Sequence, residues 1–72
     1  MDQEDRQIRV SGLVREILEK HRSGSGVSRH QVLVAVNRKF GLHVDHQNMV
    51  DSTLAVLGTK TRKDRYVLKK LK

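Results

Sequence analysis

The chain has 72 residues, no cysteine, no proline and a formal net charge of +7. This length allows one domain with a small core, and the lack of cysteine excludes a disulfide framework or a thiolate metal site. No apolar run approaches the ~18 residues that a membrane span needs, and the acidic start at residues 2–5 does not resemble a signal peptide. We therefore expect residues 1–72 to form one domain with no membrane partner.

The first periodic segment covers about residues 6–21, and residues 1–6 are expected to fray ahead of it. Its apolar residues recur at the spacing of one helix face: Val10, Leu13, Val14, Ile17 and Leu18. The Ser-Gly-Ser-Gly segment at residues 23–26 predicts the end of this helix, because glycine adopts the backbone conformation of a helix terminus. Val27 follows as a short extended residue.

A second helix is predicted to begin at Ser28, because Ser28 and Gln31 have the spacing of a capping box. Gly41 is the candidate glycine at its C-terminal end. The apolar residues between them again follow a helical period: Val32, Leu33, Val36 and Phe40.

A third helix is predicted from Asp45, whose carboxylate suits both an N-cap and the positive end of the helix dipole. Gly58 closes this helix. Its predicted buried stripe is Met49, Val50, Thr53, Leu54 and Leu57. Its predicted exposed face is His46, Gln47, Asn48, Asp51, Ser52 and Ala55.

Residues 59–64 predict a turn, and residues 65–69 predict a strand in which Tyr66 and Leu68 share one face. An isolated hairpin is marginal in water, so this one is expected to pack on the helices and to gain Val27 as a third strand. The predicted fold is mainly α with a small β-wing. Its order is helix, short strand, helix, helix and β-hairpin, which is a three-helix winged helix-turn-helix, followed by a basic tail at residues 69–72.

The positive charge is concentrated at the C-terminal end. Residues 60–72 contain seven basic residues against one acidic residue, a net charge of +6, whereas residues 1–59 contain eight basic and seven acidic residues. A charge that is both large and localised favours a polyanionic partner, most often nucleic acid. The apolar run at residues 66–68 interrupts this charge, so we interpret the segment as an ordered basic hairpin rather than as a disordered tail.

The part of the chain from residue 13 to residue 68 resembles a winged-helix domain and is most similar to the linker-histone globular domain. The matching features are Ser11-x-Leu13-Val14, Arg22-Ser23 leading to Gly26-Val27-Ser28, Gly41-x-x-Val44, the apolar third helix and Tyr66-x-Leu68-x-Lys70. The resemblance implies a role in chromatin or transcription, in the nucleus or in a prokaryotic nucleoid. Two departures from the linker-histone pattern argue against nucleosome binding: the third helix has no Lys or Arg, and the wing, residues 59–64, has no glycine.

Ten residues are candidates for contact with double-stranded DNA. Cations in the wing and the tail are suited to neutralising phosphates, and an arginine of the wing is suited to a minor groove. Amides at the start of the third helix have the groups to read adenine edges, although polar residues there also serve as helix caps. Asp51 opposes deep insertion of this helix, because phosphates repel a carboxylate. The ten candidates are Lys60, Arg62, Lys63, Arg65, Lys69, Lys70, Lys72, Arg29, Gln47 and Asn48.

We expect no catalytic site, no cofactor and no metal site. His43 and His46 are three residues apart, but no third ligand has the spacing that would complete a tetrahedral site. The expected function is therefore non-enzymatic, weakly sequence-specific binding of double-stranded DNA by a monomer. The alternative is a winged helix that binds protein subunits within a larger transcription or chromatin assembly.

Overall fold

The computed structural model describes residues 3–21, 26–61 and 63–69, which form three helices and one antiparallel sheet of three strands. The elements are α1 (Gln3–Lys20), β1 (Val27–Ser28), α2 (Arg29–Phe40), α3 (His46–Leu57), β2 (Gly58–Lys60) and β3 (Arg65–Leu68). This order confirms the predicted mainly helical layout of helix, short strand, helix, helix and hairpin.

The helix α1 begins earlier than its apolar period suggests. It starts at Gln3 rather than near residue 6, and so includes residues that the sequence assigns to a frayed terminus. Two causes extend it. Glu4 and Asp5 in its first turn interact favourably with the positive end of the helix dipole. Arg6, one turn further on, forms a hydrogen bond with a buried side chain of α3.

The core lies between the three helices and is closed on one side by the sheet. The apolar stripes predicted for the helices are the ones that meet there, as the helical period requires. Its buried apolar members are Val10, Val14, Leu18, Val27, Val32, Val36, Met49, Val50 and Leu54. Leu13, Ile17, Leu33, Phe40, Leu57, Tyr66 and Leu68 pack against them.

The ends of α2 follow the sequence prediction. Ser28 Oγ accepts a hydrogen bond from the Gln31 backbone amide at 3.2 Å, and Gln31 Oε1 accepts one from the Ser28 amide at 3.0 Å. The capping box is therefore complete. Gly41 ends the helix with a φ of 87°, and its amide donates to the carbonyl of Asn37 at 2.8 Å.

The start of α3 differs from the prediction. Asp45 occupies the N-cap position, but its side chain makes no capping hydrogen bond. Its backbone is already helical, with φ −78° and ψ −15°, whereas a capping side chain usually reaches the helix amides from extended backbone. The carboxylate lies instead 3.6 Å from Nδ1 of His43.

The strand order is β1-β3-β2, so β3 lies in the middle of the sheet. Val27 pairs with Tyr66, Ser28 pairs with Arg65, and Lys60 pairs with Tyr66 from the other side. Gly26, just before β1, has a φ of 90°, and a Cβ built there would lie 2.7 Å from the carbonyl oxygen of Tyr66. Glycine is thus required where the chain passes against β3.

Candidate nucleic-acid interface

The register of the sheet places the backbone of four basic residues at one end of it. Because β1 and β3 are antiparallel and Ser28 pairs with Arg65, the next residue of the first segment, Arg29, lies level with the turn between β2 and β3. Lys60 is the last residue of β2, and Lys63 is exposed in that turn. We call Arg29, Lys60, Lys63 and Arg65 the hairpin-end cluster.

Arg29 is held by a carboxylate of α3. Its Nε donates to Oδ1 of Asp51, and its Nη2 donates to Oδ2 at 3.1 Å, which makes a bidentate ion pair. The hydrogen bond to Asp51 raises the pKa of Arg29 above its usual value, so the guanidinium stays charged. Asp51 is therefore already neutralised. The repulsion from phosphates that the sequence predicts for this carboxylate is largely cancelled by its partner.

Two other described cations of the hairpin also have intramolecular partners. Lys60 Nζ lies 3.3 Å from Oδ1 of Asp64, in a pair whose side chains are 59% and 86% exposed. Arg65 Nη1 donates to the carbonyl of Gly26 at 3.2 Å. Exposed ion pairs contribute about 0–1 kcal/mol, so phosphates compete readily with Asp64 for Lys60.

Lys69 lies against the end of α3 rather than in the hairpin-end cluster. Its amide donates to the carbonyl of Leu57 at 2.8 Å, and its Nζ donates to the carbonyl of Ala55 at 3.4 Å. A cation at this place interacts favourably with the negative end of the helix dipole. Lys69 thus has a structural role beside the one predicted for it.

The exposed face of α3 is mostly the predicted one. Gln47 and Asn48 are exposed, as are Asp51, Ser52 and Ala55. These side chains lie on the helix that carries Asp51, whose partner Arg29 belongs to the hairpin-end cluster. The ion pair therefore joins the exposed face of α3 to one member of the hairpin-end cluster.

His46 contradicts the prediction that it is exposed, because its side chain is completely buried. Its Nδ1 lies 2.8 Å from Oδ1 of Asn37, and its Nε2 lies 3.1 Å from Nη1 of Arg6. Arginine only donates, so Nε2 accepts and Nδ1 carries the proton of a neutral ring. Burial lowers the pKa of His46, and the charge of Arg6 and then His43 lower it further, against a smaller opposing effect of Asp45.

Three of the ten candidates and two basic residues at the end of α2 remain to be placed. Arg62, Lys70 and Lys72 lie outside the described residues, and the contacts predicted for them stay predictions. Arg38 and Lys39 occupy the last turn of α2. They follow Arg29 by about nine residues, which is roughly 13 Å along the helix axis, so they do not join the hairpin-end cluster.

Other kinds of site find little support in the part of the chain that the structure describes. In residues 3–21, 26–61 and 63–69, no group of three or more His, Cys, Asp or Glu side chains is placed to hold a metal ion. No helix in those ranges is long and apolar enough to cross a bilayer. Comparisons of the chain with protein families, with curated proteins and with solved structures find no match.

Proposed function

We propose that this chain is a non-enzymatic winged-helix protein that binds double-stranded DNA as a monomer, through its hairpin and its C-terminal tail. The observation that carries the proposal is the hairpin-end cluster. The backbone at one end of the sheet carries Arg29 together with three cations of the +6 segment, residues 60–72: Lys60, Lys63 and Arg65. Localised positive charge on an ordered hairpin suits a phosphate backbone or the mouth of a minor groove.

The exposed face of α3 suits a secondary contact. It contains no Lys or Arg of its own, so it cannot anchor phosphates. Gln47 and Asn48 expose amides that can form hydrogen bonds with adenine edges. The ion pair of Asp51 with Arg29 removes the main electrostatic repulsion between this helix and the phosphates. Binding would therefore depend mostly on phosphates and little on sequence, as suits a positioning role in chromatin or transcription, in the nucleus or a nucleoid.

A salt titration tests this proposal. Neutralising about five to seven phosphates gives a plot of log affinity against log salt with a slope of about −5 to −6. Duplexes of different sequence should differ in affinity by less than the ~1–3 kcal/mol per base pair that specific readers show. If no binding to duplex DNA is measurable at ~50 mM salt, where phosphate contacts are strong, the proposal is wrong.

A protein-binding role is the second candidate, because two apolar side chains just before α3 are exposed to solvent. Leu42 and Val44 are 89% and 88% exposed. A protein subunit of a larger transcription or chromatin assembly would cover them and contact the amides of α3.

Mapping of ¹H–¹⁵N chemical shifts separates the two roles. With a random duplex, DNA binding predicts shifts in the hairpin. Shifts that occur only with a protein partner and centre on residues 42–44 support the second role.

A further inference from the structure

An open groove lies on the outer face of α2, beside α1, and has a volume of about 560 Å³. This is within the ~300–1,000 Å³ range of ligand-binding clefts. Apolar side chains of Leu13, Val34 and Ala35 line it, and His30, Arg38 and Lys39 stand around them. None of the seven candidate DNA contacts among the described residues lines this groove.

The apolar floor of the groove is not part of the core. Val34 is 41% exposed, whereas Val32 and Val36 on the same helix are 0% exposed. At ~100° per residue, Val34 points about 160° away from each of them. Val34 thus lies on the side of α2 that packing leaves open, and helix formation does not favour valine there over a polar residue.

The charge around the floor has one sign. Arg38 and Lys39 are exposed, His30 lies one turn before Val34, and no carboxylate is among the described residues that line the groove. Over residues 3–21, 26–61 and 63–69, no ion pair involves Arg38 or Lys39. Cations suit the last turn of a helix, but the helix dipole does not account for the apolar strip between them. A complementary ligand is apolar along one line and negatively charged beside it.

We propose that this groove binds an acidic amphipathic helix of a partner protein. Such a helix places apolar residues at i, i+3, i+4 and i+7 on the floor, with Asp and Glu side chains against Arg38 and Lys39. The groove lies on the α1 side of α2. On the opposite side of α2, Arg29 and Asn37 form hydrogen bonds with side chains of α3. A partner helix in the groove would therefore leave the proposed DNA interface uncovered, and this inference does not depend on the proposed DNA binding.

The test uses the full chain and a synthetic helical peptide of about 15 residues, with leucines on one face and glutamates elsewhere. A second peptide has lysines in place of the glutamates. Fluorescence anisotropy should show that the chain binds the acidic peptide and not the lysine peptide. The ¹H–¹⁵N shift changes that the acidic peptide causes in the wild-type chain should centre on Leu13, Val34 and Ala35. Val34→Glu should weaken binding at least about tenfold. Val56→Glu, at a position of α3 that is 69% exposed, is the matched control and should leave binding unchanged.

A pair of double variants separates this groove from the DNA interface. Arg38→Ala with Lys39→Ala should lose peptide affinity and keep DNA affinity, whereas Arg62→Ala with Lys63→Ala should do the reverse. Equal binding of the two peptides, full affinity of Val34→Glu, or peptide shifts confined to the hairpin would overturn the inference. So would self-association of the chain that Val34→Glu abolishes, because the groove would then hold a second copy. A failure to bind DNA leaves the peptide result intact.

Discussion

The guanidinium of Arg29, the first residue of α2, forms a bidentate ion pair with the carboxylate of Asp51, in the middle of α3. This ion pair links α2 to α3 and neutralises the negative charge on the exposed face of α3. Asp51 is the one carboxylate in α3, so its neutralisation leaves the exposed face of that helix without net charge. The same pair limits Arg29, because Arg29 reaches a phosphate only by sharing its donors with Asp51.

Asp51→Asn should therefore strengthen DNA binding. The substitution removes a negative charge beside the hairpin-end cluster and frees Arg29 for phosphates. We expect a gain of about fivefold, because one charge near a phosphate in water contributes about 1 kcal/mol. Unfolding free energy should fall by only about 0.2–1 kcal/mol, since the pair is exposed. Asp5→Asn, the same charge change at the start of α1, is the control. An equal gain in both variants would show that net charge alone matters.

Arg62→Ala with Lys63→Ala should weaken DNA binding broadly across sequences. Each lost phosphate contact lowers the magnitude of the salt slope by about 0.9, so the pair should lower it by about 2. Stability should change by no more than about 0.5 kcal/mol per substitution. Arg38→Ala with Lys39→Ala removes the same charge from the far end of α2 and should leave the slope nearly unchanged. If affinity survives in the hairpin variant, the hairpin is not the anchor.

Leu54→Ala should destabilise the fold by about 2–5 kcal/mol, because Leu54 is 1% exposed at the centre of the core and its loss leaves a cavity. Val56→Ala, two residues further along the same helix, removes a side chain that is 69% exposed and should cost within about 0.5 kcal/mol. Urea unfolding of both variants measures the difference. Similar midpoints for the two would contradict the packing of α3.

The stability of the fold should decrease as the pH falls below about 6.5. Burial depresses the pKa of His46 in the folded state below its ordinary value of 6.5, so the unfolded chain binds this proton more readily. The contribution of His46 is complete above that pH and is lost as the pH falls toward the folded pKa. Protonation would place a new N–H of the ring against the donors of Arg6.

Urea unfolding at several pH values between about 8 and 5 measures this loss, and NMR of the histidine rings identifies its source. His30→Gln, which removes an exposed imidazole instead of the buried one, is the matched control variant. A titration midpoint for the ring of His46 at or above 6.5 would show that this residue does not cause the loss.

Two residues at the start of α3 show where sequence patterns stop being informative. Asp45 has the side chain of an N-cap, but a helical backbone conformation keeps it from the helix amides. His46 is polar and near a helix end, which is typical of an exposed residue, yet the first turns of α1 cover it. The outcome at His46 depends on contacts with α1 and α2, whereas the outcome at Asp45 depends on the conformation of its own backbone. The residue types along the sequence predict neither.

The sequence by itself determined the three helices, their apolar stripes, the capping box at Ser28 and the hairpin strand, because these follow from local periodicity and from the chemistry of glycine and serine. It also located the charge at residues 60–72. The tertiary structure alone decided that Arg29 pairs with Asp51, that His46 is buried between Arg6 and Asn37, and that Val34 faces an open groove. These relationships join residues that are far apart in the chain or depend on how whole helices pack, and no spacing along the sequence encodes them.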